Sequence, residues 1–170
     1  MAKDNGILGL NRWLKVLEGY GVTKQDYDVA FRRVAKNRGE NPPPRDILWD
    51  LFNQIVIKLS KENATPQAFS MLYYDMALFL DEENRKESSS LLQQASKFKL
   101  LDYKRSAIVK CVEILAAPNS CESCLKQNGE KFTIEKALKD LPIPNKQCTY
   151  HLRPKRKYSF CRCTWLPIVD

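Results

Sequence analysis

Five cysteines lie close together in the last third of the 170-residue sequence. Cys121 and Cys124 form a C-x-x-C pair, Cys148 follows, and Cys161 and Cys163 form a C-x-C pair. Two thiolates at C-x-x-C spacing can reach one tetrahedral ion, and residues two apart on an extended strand point to the same face. The pattern therefore predicts one structural Zn²⁺ ion. A site closed by four thiolates leaves no open coordination position, so it would stabilise the fold rather than catalyse a reaction.

The chain offers more candidate ligands than a tetrahedral ion can use, because His151 lies three residues after Cys148. The spacing is consistent with two cysteine sets, and a third set that includes His151 is less favoured. The first set is Cys121, Cys124, Cys161 and Cys163; the second is Cys121, Cys124 and Cys148 with either Cys161 or Cys163. The sequence leaves these alternatives open.

Two other interpretations of the cysteines are a redox pair and unmetallated core residues. A redox-active C-x-x-C pair needs a preceding strand and a helix that starts at the first cysteine. The sequence instead predicts a helical run and Pro118 before Cys121, and Gly129 follows soon after. The clustering favours a metal site over a disulfide framework. Cys111 lies apart, in an apolar run, and is predicted to be a small core residue.

The net charge of +8 is unevenly distributed. Residues 1–100 contain 15 basic and 13 acidic side chains, whereas residues 101–170 contain 13 and 7. The basic excess is densest in residues 151–160, where cations for phosphates and rings for base stacking occur together. The alternative is that these cations offset the negative charge of a thiolate–zinc centre. The candidate nucleic-acid-binding residues are Arg153, Lys155, Arg156 and Lys157, with Tyr150, Tyr158 and Phe160 as the nearby rings.

Several classes of activity find no support in the sequence. The single histidine argues against nucleases that need two or more imidazoles, and no G-x-x-x-x-G-K-[ST] or G-x-G-x-x-G phosphate-binding turn occurs. The H-x-E motif of zinc deaminases is also missing. The first ten residues do not resemble a signal peptide, and no apolar stretch is long enough to cross a bilayer. We therefore expect a cytoplasmic protein with no membrane partner, no evident small-molecule substrate and no catalytic residues.

The first hundred residues are predicted to be helical. Apolar residues recur at helical spacing. The residues that can cap helix N-termini are Thr23, Thr65 before Pro66, and one of the three serines at 88–90. Proline residues 42–44 separate the first of these helices from one that begins near Asp46. A further helical run is predicted from about Asp102 to Leu115. These helices would form a bundle or a helical-repeat array.

The composition of the sequence changes after Ala117, where cysteines, prolines and basic residues become frequent. One short helix is predicted over Thr133–Leu141, and short strands are predicted at Lys131–Phe132 and Ser159–Trp165. The predicted fold is therefore mainly α. It comprises a helical domain over residues 1–117 and a small cysteine-rich zinc-binding module with short strands over residues 118–170.

The cysteine segment resembles the C-terminal motif of phage head-morphogenesis (minor capsid) proteins. The resemblance lies in CESC, NGEKF, LPIPNKQC and FCRCTWLPIV, spans about residues 121–168, and does not include the helical part. It implies a role in capsid assembly. The sequence as a whole predicts a non-catalytic zinc-binding protein that acts as a binding or assembly module. Nucleic-acid binding through residues 151–157 and phage-like capsid assembly are the alternatives, so the partner is a protein or a nucleic acid.

Overall fold

A computed structural model describes residues 5–82, 87–152 and 160–169, with the side chains of residues 5–8 and His151 left out. The contacts divide the chain into two compact units, Met1–Asn63 and Ala64–Asp170. The described residues are mainly helical, with one small three-stranded antiparallel sheet and the cysteines gathered in the C-terminal region. This confirms the predicted fold class.

The first unit contains three helices: α1 (Asn5–Glu18), α2 (Lys24–Arg38) and α3 (Pro44–Lys61). The α3 helix packs against both of the others. Thr23 caps α2 as predicted, because its hydroxyl accepts a hydrogen bond from the Asp26 amide at 3.2 Å. The Asp26 carboxylate in turn accepts from the Thr23 amide at 2.8 Å, which completes a capping box.

The core of the first unit lies along the apolar faces of these helices. Trp13 meets Phe52 edge to face, with the ring centroids 5.9 Å apart. The other buried apolar residues of this unit are Leu17, Ala30, Val34, Ile47, Leu48, Leu51 and Ile55.

The second unit begins with a pair of helices that pack against each other, α4 (Pro66–Glu82) and α5 (Ser88–Arg105). The Thr65 hydroxyl accepts from the Ala68 amide at 3.3 Å, which supports the predicted start of α4. The prediction that a serine caps α5 is wrong. Glu87 is the cap residue and makes no side-chain capping bond, while Ser90 donates to the Glu87 carbonyl.

The predicted helical run from Asp102 to Leu115 is wrong beyond Arg105. Residues Val109–Leu115 form strand β1, which lies between β2 (Lys131–Thr133) and β3 (Thr164–Val169), with both pairings antiparallel. β-Branched residues favour a strand here, and Val112 and Ile114, two apart, point to the same buried face. Along the ladder, Leu115 lies opposite Thr164, Ile114 opposite Trp165, and Val112 opposite Pro167.

The remaining elements follow β1 in the order α6 (Glu122–Lys126), β2, α7 (Ile134–Asp140), a 3₁₀ turn at Tyr150–Leu152, and β3. The predicted strand near Lys131 and the predicted helix after Thr133 are both confirmed, with the Thr133 hydroxyl capping α7. The strand predicted at Ser159–Trp165 is displaced. Residues 160–163 are not in a strand, and Ser159 lies outside the described residues.

One face of the sheet packs on α5 and α7 and forms the main core of the second unit, which consists of Leu100, Val112, Ile114, Ile134, Ala137, Ile143 and Trp165. Cys111 is only half-buried on β1. The domain boundary predicted at residue 117 falls between β1 and α6, and both elements belong to this unit. None of the helices described is long and apolar enough to cross a bilayer.

Candidate metal centre

The antiparallel pairing of β1 and β3 brings the cysteine pairs together. The last residue of β1, Leu115, is opposite the first residue of β3, Thr164. The chain that leaves β1 therefore lies beside the chain that enters β3. The former carries Cys121, the residue before α6, and Cys124 within α6, while the latter carries Cys161 and Cys163. The sheet thus places sulfur atoms from distant parts of the sequence in one cluster.

Cys148 joins this cluster from the loop after α7. All five cysteines pack against one another, with Cys121, Cys124 and Cys161 buried and Cys148 and Cys163 half-buried. All are free thiols. The five predicted metal-site cysteines therefore lie at one place, and Cys111 does not belong to the group.

The sulfur–sulfur distances match those of a tetrahedral thiolate site. Cys121 Sγ lies 3.7 Å from Cys148 Sγ, and Cys124 Sγ lies 3.7 Å from Cys161 Sγ. Four sulfurs at about 2.3 Å from a tetrahedral Zn²⁺ ion are about 3.8 Å apart. Two groups of three have all sulfurs within 4.8 Å of one another: Cys121, Cys124 and Cys148, and Cys124, Cys161 and Cys163. The cluster can hold a metal ion.

Hydrogen bonds from the surrounding backbone point at the sulfurs. The Asn145 amide donates to Cys161 Sγ at 3.4 Å, and the Ser123 hydroxyl lies 3.1 Å from Cys121 Sγ. Such donors stabilise thiolates and orient metal ligands. Further backbone contacts to the sulfurs come from Cys124 and Thr149 to Cys121, from Tyr150 to Cys148, and from Cys163 to Cys161.

The thiols do not ionise independently. Hydrogen bonds from Cys148 and Cys163 lower the pKa of Cys161 to about 2. Burial and the charge on Cys161 raise the pKa of Cys124 to about 12. The pKa values of Cys148 and Cys163 are also raised, first because each thiol donates to Cys161 and then by burial. A divalent cation would remove the repulsion that keeps these neighbours protonated, so the cluster favours a cation at its centre.

The pKa of Cys121 is lowered, unlike the pKa values of Cys124, Cys148 and Cys163. Burial raises its pKa, but the Ser123 hydroxyl and the backbone amides of Cys124 and Thr149 outweigh that effect and lower it to about 6. The two sulfurs with lowered pKa values, Cys121 and Cys161, thus belong to the two different cysteine pairs. Each lies 3.7 Å from a sulfur whose pKa is raised, Cys148 for Cys121 and Cys124 for Cys161.

Asn145 connects the loops of the centre and was not singled out by the sequence. Its side-chain amide donates to the Ser123 carbonyl at 3.0 Å, and its side-chain oxygen accepts from the Gln147 amide at 2.8 Å. The residue is buried. In PIPNKQC, a polar residue follows two prolines and precedes a candidate ligand. This is the signal that could have indicated the role of Asn145.

The helical run predicted before Cys121, which spoke against a redox pair, is wrong. A strand, β1, does precede Cys121, and α6 begins immediately after it. The sheet is antiparallel throughout, however, so no parallel β-α-β unit surrounds the pair. Each cysteine of the pair also has a sulfur neighbour outside the pair, since Cys121 Sγ lies 3.7 Å from Cys148 Sγ and Cys124 Sγ lies 3.7 Å from Cys161 Sγ. These contacts favour metal binding over a two-cysteine redox centre.

The candidate nucleic-acid-binding residues cannot be placed in this centre. Their positions, Arg153, Lys155, Arg156 and Lys157, lie outside the described residues, as does the side chain of His151. Phe160, proposed as a stacking ring, is instead buried against Ala77 and Leu92. Tyr150 is covered by the guanidinium group of Arg162, which lies 4.3 Å from the ring centroid.

Comparisons of the chain with protein-family models, with curated proteins and with solved structures gave no match.

Proposed function

We propose that Cys121, Cys124, Cys148 and Cys161 bind one structural zinc ion, and that the protein acts as a non-catalytic binding or assembly module. The observation that carries the proposal is that Cys124 Sγ lies within 4.8 Å of the Cys121 and Cys148 sulfurs, which are 3.7 Å apart, and 3.7 Å from Cys161 Sγ. Thiolate ligands in a tetrahedral arrangement are typical of zinc. Four thiolates close the coordination sphere, so the ion would have a structural role.

The choice of Cys148 over Cys163 rests on distance and surroundings. Cys148 is one partner of a 3.7 Å sulfur contact and receives a backbone hydrogen bond from Tyr150. Cys163 belongs to the other group of three, with Cys124 and Cys161. In this proposal Cys163 is a thiol beside the metal rather than a ligand.

Zinc would join three segments that are far apart in the sequence. These segments are α6, the loop that carries Cys148, and the residues that lead into β3. Structural zinc contributes on the order of 10 kcal/mol of apparent binding free energy in small modules. The ion would therefore hold the C-terminal part of the second unit in one conformation and present its surface to a partner.

The test is the metal content of protein purified without added metal, measured by native mass spectrometry before and after treatment with a strong chelator. One zinc ion per chain, and loss of the Trp165 environment when the ion is removed, are expected. The indole NMR signal of Trp165 reports this change, while Trp13 and Trp49 of the first unit serve as internal references. Protein without metal, with a native spectrum, would refute the zinc proposal.

The charge distribution favours nucleic acid as a second candidate partner. Residues 101–170 carry 13 basic and 7 acidic side chains, and such an excess attracts phosphates. Affinity for a short DNA or RNA duplex should then fall steeply with salt, and should weaken when Arg153, Lys155, Arg156 and Lys157 are changed together to glutamine. Fluorescence anisotropy measures both effects. Failure to bind at low salt would exclude this partner.

The alternative partner is a protein in a larger assembly, which the resemblance of the cysteine motifs to head-morphogenesis proteins supports. This role predicts self-association or a stable complex with a capsid or portal protein. Light scattering of the zinc-loaded chain, alone and with such a partner, distinguishes the two candidates. A strictly monomeric chain that binds no such protein would count against assembly.

A further inference from the structure

A groove of about 500 Å³ opens within the second unit, between α4, α5 and residues 161–165. Its lining is mainly apolar, with Met71, Tyr74 and Trp165 among the wall residues. Met71 is 57% exposed, which is high for a large apolar side chain. The volume lies in the range typical of small-molecule sites, in which an apolar lining carries a few fixed polar groups.

The polar groups of this groove are predominantly hydrogen-bond donors. The Trp165 indole donates to the Ser96 hydroxyl oxygen at 2.8 Å, and the Lys99 ammonium donates to the Thr164 hydroxyl oxygen at 2.8 Å. Indole and ammonium groups can only donate. Each hydroxyl therefore serves as an acceptor and keeps its own proton to donate. Within the described ranges, neither hydroxyl proton has a recorded acceptor, and Lys99 has further N–H bonds to offer.

Among the described residues the charge of Lys99 has no carboxylate partner, and its ammonium group lies 5.9 Å from the centroid of the Tyr103 ring. Asp102 is the acidic residue in the lining, yet no ion pair joins it to Lys99 among the residues the structure describes. Burial lowers the pKa of Lys99, as expected for an ammonium group without a nearby carboxylate. Arg162 adds a second cation to the lining, and its guanidinium group donates to the Pro118 carbonyl at 2.8 Å. The groove thus offers a cation and two hydroxyl donors beside an apolar surface.

We propose that this groove binds a small molecule with an apolar body and one carboxylate group. The carboxylate accepts hydrogen bonds from Lys99, Ser96 and Thr164, and the apolar body packs on Trp165 and Met71. The lining carries two cations, Lys99 and Arg162, and one carboxylate, Asp102. Their net charge of +1 matches the single charge of a carboxylate ligand, whereas a phosphate carries up to twice that charge. An added peptide strand is less suitable, because the Tyr103 hydroxyl already contacts the Trp165 carbonyl on this side of β3, at 3.4 Å.

The proposal is tested with 2-naphthylacetate as the probe and zinc-loaded, ¹⁵N-labelled full-length protein. The three tryptophan indole signals are followed by NMR as the probe is added. We expect the Trp165 signal to shift and saturate while those of Trp13 and Trp49 do not move. The neutral isostere 2-naphthylacetamide should bind at least about tenfold more weakly, because hydrogen bonds to a charged acceptor are the stronger ones.

Two variants and one matched control locate the carboxylate. Lys99→Met keeps the apolar stem and should reduce the affinity for 2-naphthylacetate to that of the amide. Lys97→Met removes a cation from the exposed side of the same helix and should bind as the wild type does. Ser96→Ala should weaken binding severalfold, and it covers the case in which Lys99→Met fails to fold.

Three results would overturn the proposal. The first is equal affinity for the carboxylate and the amide. The second is tighter binding of 2-naphthyl phosphate than of 2-naphthylacetate. The third is unchanged affinity in a folded Lys99→Met variant, or in Ser96→Ala if the lysine variant does not fold.

Discussion

Exchange of single cysteines for serine separates the two sets of ligands that the spacing leaves open. If Cys148 is the fourth ligand, Cys148→Ser removes one of four zinc–sulfur bonds, whereas Cys163→Ser removes none. A structural zinc site binds with an apparent free energy of about 12 kcal/mol, or about 3 kcal/mol for each thiolate. This corresponds to a loss of about a hundredfold in zinc affinity for Cys148→Ser. Cys163→Ser should change the affinity by less than about threefold.

The assay is competition for zinc between the protein and a chromophoric chelator of known affinity. Cobalt(II) substitution gives a second readout, because the intensity of the thiolate-to-cobalt absorption reports the number of sulfur ligands. Cys111→Ser is the matched control, since Cys111 lies on β1 outside the cluster. Its affinity for zinc should equal that of the wild type.

The opposite result would refute this assignment: a loss of about a hundredfold in zinc affinity for Cys163→Ser, with Cys148→Ser near the wild type. That result would mean that the 3.7 Å contact between Cys121 and Cys148 does not identify a ligand. The centre would then be formed by the two close pairs alone. Cys161→Ser should be severely affected in either case, because Cys161 belongs both to the set of two close pairs and to the set proposed above.

Three further results are expected. Asn145→Ala removes the side-chain hydrogen bonds to the Ser123 carbonyl and the Gln147 amide. It should lower zinc affinity by about tenfold or more in the same competition assay. An unchanged affinity would show that these bonds do not position the ligands. Zinc binding at pH 7.5 should release about two protons, because the pKa values of Cys121 and Cys161 are already lowered to about 6 and about 2; affinity then falls as the pH falls, and calorimetry in two buffers that finds about four protons would contradict this. Thr23→Ala should reduce the free energy of unfolding of the first unit by about 1 kcal/mol in urea, whereas Thr23→Ser, which keeps the cap, should not.

The helices were largely predictable because their signals are local. A side-chain cap at Thr23 and a proline in the first turn of α4 depend on residues within one turn of the helix start. The apolar stripe of each helix then follows from its 3.6-residue period. The serines at the start of α5 misled, because they occupy the first three helical positions and Glu87 occupies the cap position.

The strands were less predictable because their evidence is not local. The apolar run that contains Val109, Val112 and Ile114 is compatible with both a helical and a strand period. Its pairing partner β3 lies about fifty residues further along the chain. The cysteine cluster was predicted as a group from spacing. The contacts that distinguish Cys148 from Cys163 depend on the pairing of β1 with β3. The spacing of the cysteines does not predict this pairing.

The position of Pro167 in β3 affects how this sheet can meet other molecules. The Ile114 amide donates to the Glu130 carbonyl and its carbonyl accepts from the Gly129 amide, so the backbone of Ile114 points away from β3. Trp165, its partner, must therefore point its own backbone groups away from β1, and so must Pro167 two residues later. Proline has no N–H group, so the outer edge of β3 lacks a donor at its centre.

An exposed strand edge with a full row of donors and acceptors is a template for pairing between chains. Here the Tyr103 hydroxyl contacts one outward carbonyl and Pro167 removes one outward donor. The sheet is therefore protected against growth by a fourth strand on this side. Self-association by strand addition at this edge of β3 is therefore disfavoured, and a substitution such as Pro167→Val would make this edge competent for aggregation.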